Sequence, residues 1–468
     1  MTRPRIAFFT PLAPVHSGIA QYSEELLPYL SETFDIDIYI DEYTPTDKWI
    51  TNHLDIFHYL RFDSNLSRRK YHQIIYHMGN NLYHTYMYPF INRYPGILVL
   101  HDYVLHHSRA KAYLSKNGSE EYKKEMIIAY GEKGRFIANC VIRERSGREV
   151  FIDHLPFNER FIRNSGSVIV HNNYVREMLA SKFKGKECAF IPMGIEIPES
   201  LKNPDQEKGK LGFNKDTIII SSLGHISSNK KFNLVFKALS SIFNNIPEFK
   251  FILIGSSLPG SNLKKLVPRK LLKNVIFTGY VTPALLETYL NATDLFINLR
   301  EPYTREASAA MLRCMSYGKP VIISHLVHNY EIPENICYKV SFSPKELDEI
   351  KSKIIEFCEN RETAERMGRL ARKFVFENHS IKQSSKRYKE FIMTHLRKKQ
   401  LRARNTYLSA NTIDRLTSIP TSMLYGNEKG SSISNESIIH KEKEYLEDLF
   451  LDLGIIGDPD LFVKNLNK

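Results

Sequence analysis

The sequence predicts an α/β architecture in which two parallel-sheet domains stand in tandem and face each other across a cleft, with a C-terminal helical extension. Three observations carry this expectation. At 468 residues the chain is about three times the length of a typical domain. Short apolar runs alternate with amphipathic helical stretches in two successive series, one on each side of a charge-rich segment near residue 200. A hydrophobic content of 42% is enough for real cores, and 22 glycines with 21 prolines exclude collagen-like or low-complexity composition.

The first series opens with a buried strand over Arg5–Thr10, a loop holding Pro11, Pro14 and Gly18, and a helix through Leu30. In that helix Ile19, Tyr22, Leu26, Leu27 and Tyr29 recur at helical spacing, with Glu24 and Glu25 early in it. A strand over Asp35–Ile40 follows after a short connection, the usual start of a parallel sheet. Gln73–His77, Gly96–His101 and Ser167–His171 are further strands, and the polar stretch from Ser108 to Arg163 is largely helical. Ile195–Gly212, with two prolines and many charges, reads as an interdomain linker.

The second series has strands at Thr217–Leu223, Phe251–Ile254, Val275–Phe277, Leu295–Leu299 and Val321–Ile323, with a helix over Leu234–Phe243. Beyond Glu346 the chain turns helical, best at Ala364–Val375 and Ser380–Leu396. A Ser/Thr/Asn-rich segment from Asn405 to Asn435 is expected to be flexible, and an amphipathic helix follows over Lys441–Leu453. The resulting division is 1–198, 199–375, a C-terminal helix over 376–396 that packs back on the first domain, and a basic tail over 397–468.

Charge and cysteine usage narrow the function classes. The formal charge is +13, which points to an anionic partner. Residues 1–198 carry only +2 of it and residues 199–468 the other +11; Lys382–Arg404 alone holds nine Lys and Arg against Glu390. No recognised nucleic-acid module accompanies this charge, so nucleic acid is not an expected partner. The basic helix suits an anionic membrane surface instead, at ~1 kcal/mol per cation near the leaflet. The five cysteines, Cys140, Cys188, Cys314, Cys337 and Cys358, form no CxxC pair, which disfavours a disulfide scaffold or a structural zinc site and fits a reducing compartment. The apolar start at Ile6-Ala7-Phe8-Phe9 is broken by Pro11 and Pro14, too short for a secretory signal. No run of about 18 apolar residues occurs that could span a membrane. The expected location is therefore cytoplasmic, with the basic helix at the inner face of the membrane.

Candidate chemistry gathers where strands end and helices begin. Gly18 precedes a helix N-terminus, where unpaired amides favour an anion and a missing Cβ permits close approach. Gly224-His225-Ile226-Ser227-Ser228-Asn229-Lys230-Lys231 repeats the arrangement with a cation that can pair with a diphosphate; it is not a Walker loop. After the strand Leu295–Leu299 come Arg300, Glu301, Arg305, Glu306 and Ser308, and then another helix. Glu306 can accept hydrogen bonds from sugar hydroxyls, or can simply match the helix dipole. His101 and Asp102 close a strand of the first domain, and Asn80 and His171 follow others; each is a candidate contact or an ordinary hydrogen-bonded residue. Asp35-Ile36-Asp37 has the form of a metal-binding DxD but lies within a strand, so no metal is assigned to it.

Taken together, SGIAQYS (17–23), HMGNN (77–81), PGILVLHDYVLHH (95–107), VIVHNNYVRE (168–177) and IPMGIE (191–196) resemble glycosyltransferase family 4. In the second domain LGHISSNKKFN (223–233), GYV (279–281) and ASAAMLRCMSYGKPVI (307–322) do likewise. The resemblance covers residues 4–395 and is strongest to bacterial members with a GETSG-type motif. It implies a GT-B fold of two Rossmann-like domains, a nucleotide-diphosphate sugar held by the second domain, an acceptor held mainly by the first, and transfer with retention of anomeric configuration.

Carried over by position, the resemblance makes His101, Lys230 and Glu306 the catalytic set. Gly18, Gly224, His225, Lys230, Arg305, Glu306 and Ser308 become donor-binding residues, and Asn80, Asp102 and His171 contacts to acceptor or sugar. Lys230 neutralises the departing diphosphate, so no metal or other cofactor is expected. The implied partners are a nucleotide sugar and a glycan or lipid-linked acceptor, as in bacterial surface polysaccharide synthesis; Tyr445, Leu446, Leu449, Phe450 and Leu453 offer a face for a protein partner. The chain departs from the family pattern at His225, where many relatives have arginine, at Arg305, Ala307 and Ala309 around Glu306, and at Arg313, near the place of a second glutamate. Transfer to protein or to a small metabolite, and a GT-B-like binding subunit without turnover, stand as alternatives.

Overall fold

The computed structural model describes residues 3–144, 151, 152, 154–257, 263–301, 305–326, 329 and 331–410. Strands β1 (Arg5–Phe9), β2 (Asp35–Ile40), β3 (Asp55–His58), β4 (Gln73–Met78), β5 (Ile97–Leu100), β6 (Ser167–Val170) and β7 (Cys188–Phe190) form one sheet in the order β3-β2-β1-β4-β5-β6-β7. A second sheet, in the order β10-β9-β8-β11-β12-β13, contains β8 (Ile218–Leu223), β9 (Phe249–Ile254), β10 (Val275–Gly279), β11 (Leu295–Asn298), β12 (Val321–Ser324) and β13 (Tyr338–Val340). Every strand pair is parallel. The two-domain α/β architecture expected from the sequence is therefore present.

The central strands are buried on both faces, as parallel strands covered by helices must be: Ala7, Phe8 and Phe9 of β1 and Ile97, Leu98 and Val99 of β5 have no exposed surface. The helix after β1, Gly18–Ser31, begins where the Ser17 hydroxyl accepts from the Ile19 amide, and it turns Ala20, Tyr22, Ser23, Leu26, Leu27 and Leu30 inward. In the second domain the helix Phe232–Ser241 buries Phe232, Val235, Phe236, Ala238 and Leu239 at the same periodicity. These residues join Phe251, Leu253, Leu295 and Ile297 in one core.

Topology fixes where ligands can sit. In the first sheet the order reverses at β1, whose neighbours are β2 and β4; in the second it reverses at β8, between β9 and β11. At such a switch point the loops leaving adjacent strands diverge and open a crevice at the carboxyl ends. Gly18 lies in the loop after β1, Gly224 to Lys230 after β8, and Arg300 to Ser308 after β11.

Several elements differ from expectation. The edge strands β3, β7 and β13 had no clear counterpart in the apolar pattern, being only three or four residues long. The expected linker contains the helix Pro204–Lys210, capped by Asn203, which accepts from the amides of Asp205 and Gln206; Pro204 is pre-set for the first helical position. The basic helix runs over Ile381–Ala410, longer than expected. The remaining segment from 411 on, including the span 441–453 where an amphipathic helix is expected, lies outside the described residues.

Residues 379–388 sit against the first domain. Ile195 bridges Ser380, and Ser384 donates to the Pro192 carbonyl at 2.7 Å. Tyr388 receives the Tyr22 hydroxyl at 3.3 Å. Gly194 is required here, since a Cβ would come within 2.8 Å of the Ile381 backbone.

A separate compact unit comprises Asn80–Thr85, Val104–Arg160 and the chain from Lys389. Between β5 and β6 it carries the helices His106–Leu114 and Ser119–Ile142. Its own core holds Tyr122, Met126, Ile137, Cys140, Phe151 and Phe157. Arg109 is buried there, pairing with Glu125 at 2.8 Å while its guanidinium lies 3.6 Å from the Phe157 ring centroid. Asn80 belongs to this unit, its side-chain carbonyl accepting from the Ser108 amide at 3.0 Å.

Candidate active site

On the second domain the chain leaves β8 at Gly224, whose φ of +101° is a conformation that side chains rarely adopt. The turn folds the loop over Lys230: a Cβ on Gly224 would stand 3.1 Å from the Lys230 Nζ. Lys230 is 3% exposed and donates to the Leu223 carbonyl. Burial, aided by the nearby Arg300 guanidinium, pushes its ammonium pKa down to about 7, against opposing contributions from Cys314 and Glu306. This is a cation held beside another cation in a low-dielectric site, an arrangement that an anionic ligand would relieve.

The loop after β11 completes the group. Arg300 lies 3.3 Å from the Glu306 carboxylate, and its Nη2 donates to the Ser308 hydroxyl at 3.4 Å. Ser308 caps the helix Ala309–Ser316 by accepting from the Met311 amide at 3.2 Å, and it donates to Asn298 Oδ1 at 3.3 Å. Glu306 is therefore oriented by Arg300, with 27% of its side chain still exposed. Arg305, 6% exposed and at φ +60°, turns the other way. Its carbonyl accepts from the Asn172 side chain at 3.0 Å, and its guanidinium lies 5.4 Å from the Tyr103 ring, so it joins this loop to the first domain.

Further contacts cross between the sheets. The ring of His225 reaches the His16 carbonyl at 3.4 Å and the Ser256 hydroxyl at 3.3 Å, and the His16 ring lies 4.7 Å from Tyr280. Gly18, two residues on, has no atom within 4 Å of where a Cβ would be, leaving open space at that helix start. Arg313 does not stand alone near the expected second glutamate: it is bonded to Glu25 of the helix after β1.

The first domain offers a different surface. His101, just beyond β5, is 5% exposed and its Nε2 lies 2.9 Å from Nδ1 of His77, at the end of β4. The His171 ring is 4.6 Å from that of His101, and Tyr22 packs edge-on to both at 5.2 and 5.4 Å. His171 donates from Nδ1 to the Ile191 carbonyl at 2.9 Å; burial pushes its pKa down to about 4, so it is neutral. Asp102 is half-buried beside this cluster in sequence. The DxD-like pair is tied up structurally: Asp37 is buried in β2 and accepts from Arg69 at 2.8 Å and from the Tyr71 hydroxyl at 2.6 Å.

Lys230, Glu306, Ser308 and the Gly224 turn are thus assembled in one place, whereas His101 and His171 form a second cluster on the first sheet. Sequence reasoning gave no site role to His77 or Tyr22, and none to Arg300 or Asn172 beyond their place in the loops after two strands. His77 had a usable signal, a histidine in the last turn of the pleat before HMGNN ends its strand; the pairing of Arg300 with Glu306 had none.

A model of the family described as glycosyl transferases group 1 matches residues 203–374. The chain is similar to a GDP-mannose-dependent monoacylated alpha-(1-6)-phosphatidylinositol monomannoside mannosyltransferase of Corynebacterium glutamicum, 24% identical over 168 residues, 34% of this chain and 44% of that protein. It is also similar to the alpha-monoglucosyldiacylglycerol synthase of Acholeplasma laidlawii, 22% identical over 175 residues, 36% of this chain and 44% of that protein. The matched regions thus span less than half the length of either relative. Among solved structures, sucrose-phosphate synthase from Thermosynechococcus elongatus superposes with a TM-score of 0.59 at 15% identity, over 86% of this chain and 100% of that one. Anabaena Alr3699/HepE in complex with UDP and glucose superposes with a TM-score of 0.58 at 14% identity, over 84% and 100%. The chain has the GT-B fold, and its residues 203–374 match the model of the glycosyl transferases group 1 family.

Proposed function

We propose that this chain is a retaining glycosyltransferase that moves a sugar from a nucleotide-diphosphate sugar to a glycan or lipid-linked acceptor in bacterial surface polysaccharide synthesis. The observation that carries the reading is the buried Lys230 beside Arg300 and Glu306 at the switch point of the second sheet. Breaking a glycosyl–phosphate bond builds negative charge on the diphosphate and positive charge on the sugar, and a site prearranged for both lowers the barrier. In this reading Lys230 and the amides at the start of the helix Ala309–Ser316 meet the diphosphate. Glu306 accepts from donor hydroxyls. As the anomeric C–O bond breaks, the acceptor oxygen bonds to the same face of that carbon and its proton passes to a diphosphate oxygen. The site is read as metal-independent because its own cations supply the charge on the leaving side.

Both relatives named above act, by their names, on lipids, which supports a lipid-linked acceptor. Among the described residues no helix is long and apolar enough to cross a membrane. The basic helix Ile381–Ala410 would instead bring the enzyme to an anionic inner leaflet. Salt-sensitive sedimentation with anionic vesicles checks that contact, and its absence removes it.

The deciding experiment incubates purified protein with UDP- and GDP-sugars and bacterial lipid extracts, with product configuration read by NMR. Transfer with retained configuration is expected. Nucleotide binding with neither transfer nor donor hydrolysis would favour the second reading, a GT-B-like binding subunit. The flanking Arg305 and Ala307 and the ion pair that engages Glu306 are the observations that keep this second reading in view.

A further inference from the structure

Lys231 is chemically the twin of its neighbour Lys230 and is treated by the fold in the opposite way. It ends the glycine loop at φ +54°, ψ 33°, the left-handed region that residues with a side chain avoid, and its carbonyl starts the next helix by accepting from the Leu234 and Val235 amides. Such a conformation persists where surrounding contacts over-determine it. Here they do: Lys231 is 8% exposed, its Nζ meets Glu346 Oε2 and lies 2.8 Å from Glu301 Oε2, and the Phe342 ring centroid is 4.4 Å away. Glu301 is also bound through its own amide to the Asn229 carbonyl at 2.7 Å.

The two donor-side loops therefore meet through a matched pair of dipeptides. Lys230 and Arg300 interact as like charges, the Arg300 guanidinium helping to depress the Lys230 ammonium, while their chain neighbours Lys231 and Glu301 attract. Like-charge repulsion in the inner pair, partly offset by Glu306 at 3.3 Å from Arg300, favours separation of the loops, and the outer pair, anchored to Glu346 at the start of the helix Glu346–Glu359, opposes this. We infer that Lys231 is a positioning residue: it latches the loop carrying Lys230 to the loop carrying Arg300 and Glu306, so that the donor site is preformed in the absence of donor. The inference rests on the donor-site reading above but is tested on the ligand-free protein.

The experiment is amide hydrogen exchange on full-length Lys231→Met, with Lys231→Arg beside it. In the methionine variant, exchange at 224–230 and at 299–301 with 305–308 is expected to rise about tenfold, with β12 and β13 at native rates. The arginine variant should restore native protection. UDP or GDP, whichever binds the native protein, should suppress the excess exchange by bridging the inner cations. Native exchange in both loops, or a rise confined to the helices Phe232–Ser241 and Glu346–Glu359, overturns the inference. Should Lys231→Met not fold, Glu301→Gln cuts only the loop-to-loop bond at a half-exposed carboxylate and must give the same two-loop signature. Failure of every nucleotide to bind the native protein counts against the donor-site reading, while the ligand-free exchange still decides the latch.

Discussion

The carboxyl ends of the two sheets occupy equivalent topological positions and carry opposite chemistry. On the first sheet the strands β4, β5 and β6 deliver His77, His101 and His171, packed around Tyr22, with His171 neutral. On the second, β8 and β11 deliver Lys230, Arg300 and Glu306, where cations crowd together and one of them is held far from its ordinary ionisation. The same architecture thus yields one surface that can contact hydroxyl-rich neutral groups and another poised for an anion. Side-chain chemistry, and not topology, distinguishes the two ends.

The sharpest way to break this comparison is Lys230→Ala. If the anion side does the work assigned to it, turnover should fall about 10²–10³-fold in steady-state assays, with the thermal midpoint unchanged or higher because a desolvated cation has gone. Near-native turnover would remove the distinction between the two ends.

The pH dependence of nucleotide binding comes next. In the ligand-free protein Lys230 titrates at about 7 against an ordinary 10.5, so above pH 7 it is largely neutral, and binding a diphosphate must then take up a proton. Calorimetry should record affinity for UDP or GDP falling up to about tenfold per pH unit above about pH 7 and levelling off below it. The same depressed pKa means that the unfolded chain holds more protons than the folded one between pH 7 and 10.5, so ligand-free stability rises with pH across that window. Lys230→Met should abolish both slopes.

On the other sheet the effects should be conformational and smaller. His77→Phe removes the 2.9 Å bond to His101 and is expected to cost about 1–2 kcal/mol in denaturant unfolding. Tyr22→Phe deletes one long hydroxyl contact to Tyr388 and should cost about 0.5 kcal/mol. Effects of either on nucleotide affinity as large as those of Lys230→Ala would show that the two ends do not divide the labour.

What the sequence made legible follows the same physics. Continuous apolar runs such as Ile-Ala-Phe-Phe and Ile-Leu-Val-Leu mark central parallel strands unambiguously, and Asp35–Ile40 forms a strand over just those residues. Cys188–Phe190 and Tyr338–Val340 escaped because three half-apolar residues at a sheet edge leave no periodicity to read. Motif positions such as Gly224, Lys230 and Ser308 could be located in the chain because strand–loop–helix junctions are local. Their partners could not, since the carboxylate that holds Lys231 is 115 residues away and becomes its neighbour only once the sheet has formed.

The return of residues 379–388 to the first domain has a consequence for the order of synthesis. Gly194 is seated against Ile381, Ser384 bonds to Pro192, and the hydroxyl of Tyr22 finds Tyr388. During translation β1 to β7 emerge first, yet the packing beneath their histidine cluster waits for a helix made after the entire second domain. The nascent first domain therefore leaves the ribosome with an unfinished floor, and the start of the helix Ile381–Ala410 works as a closing wedge. Truncation before residue 379 should leave the second sheet intact and the first one open to proteases, a division of damage that limited proteolysis can read directly.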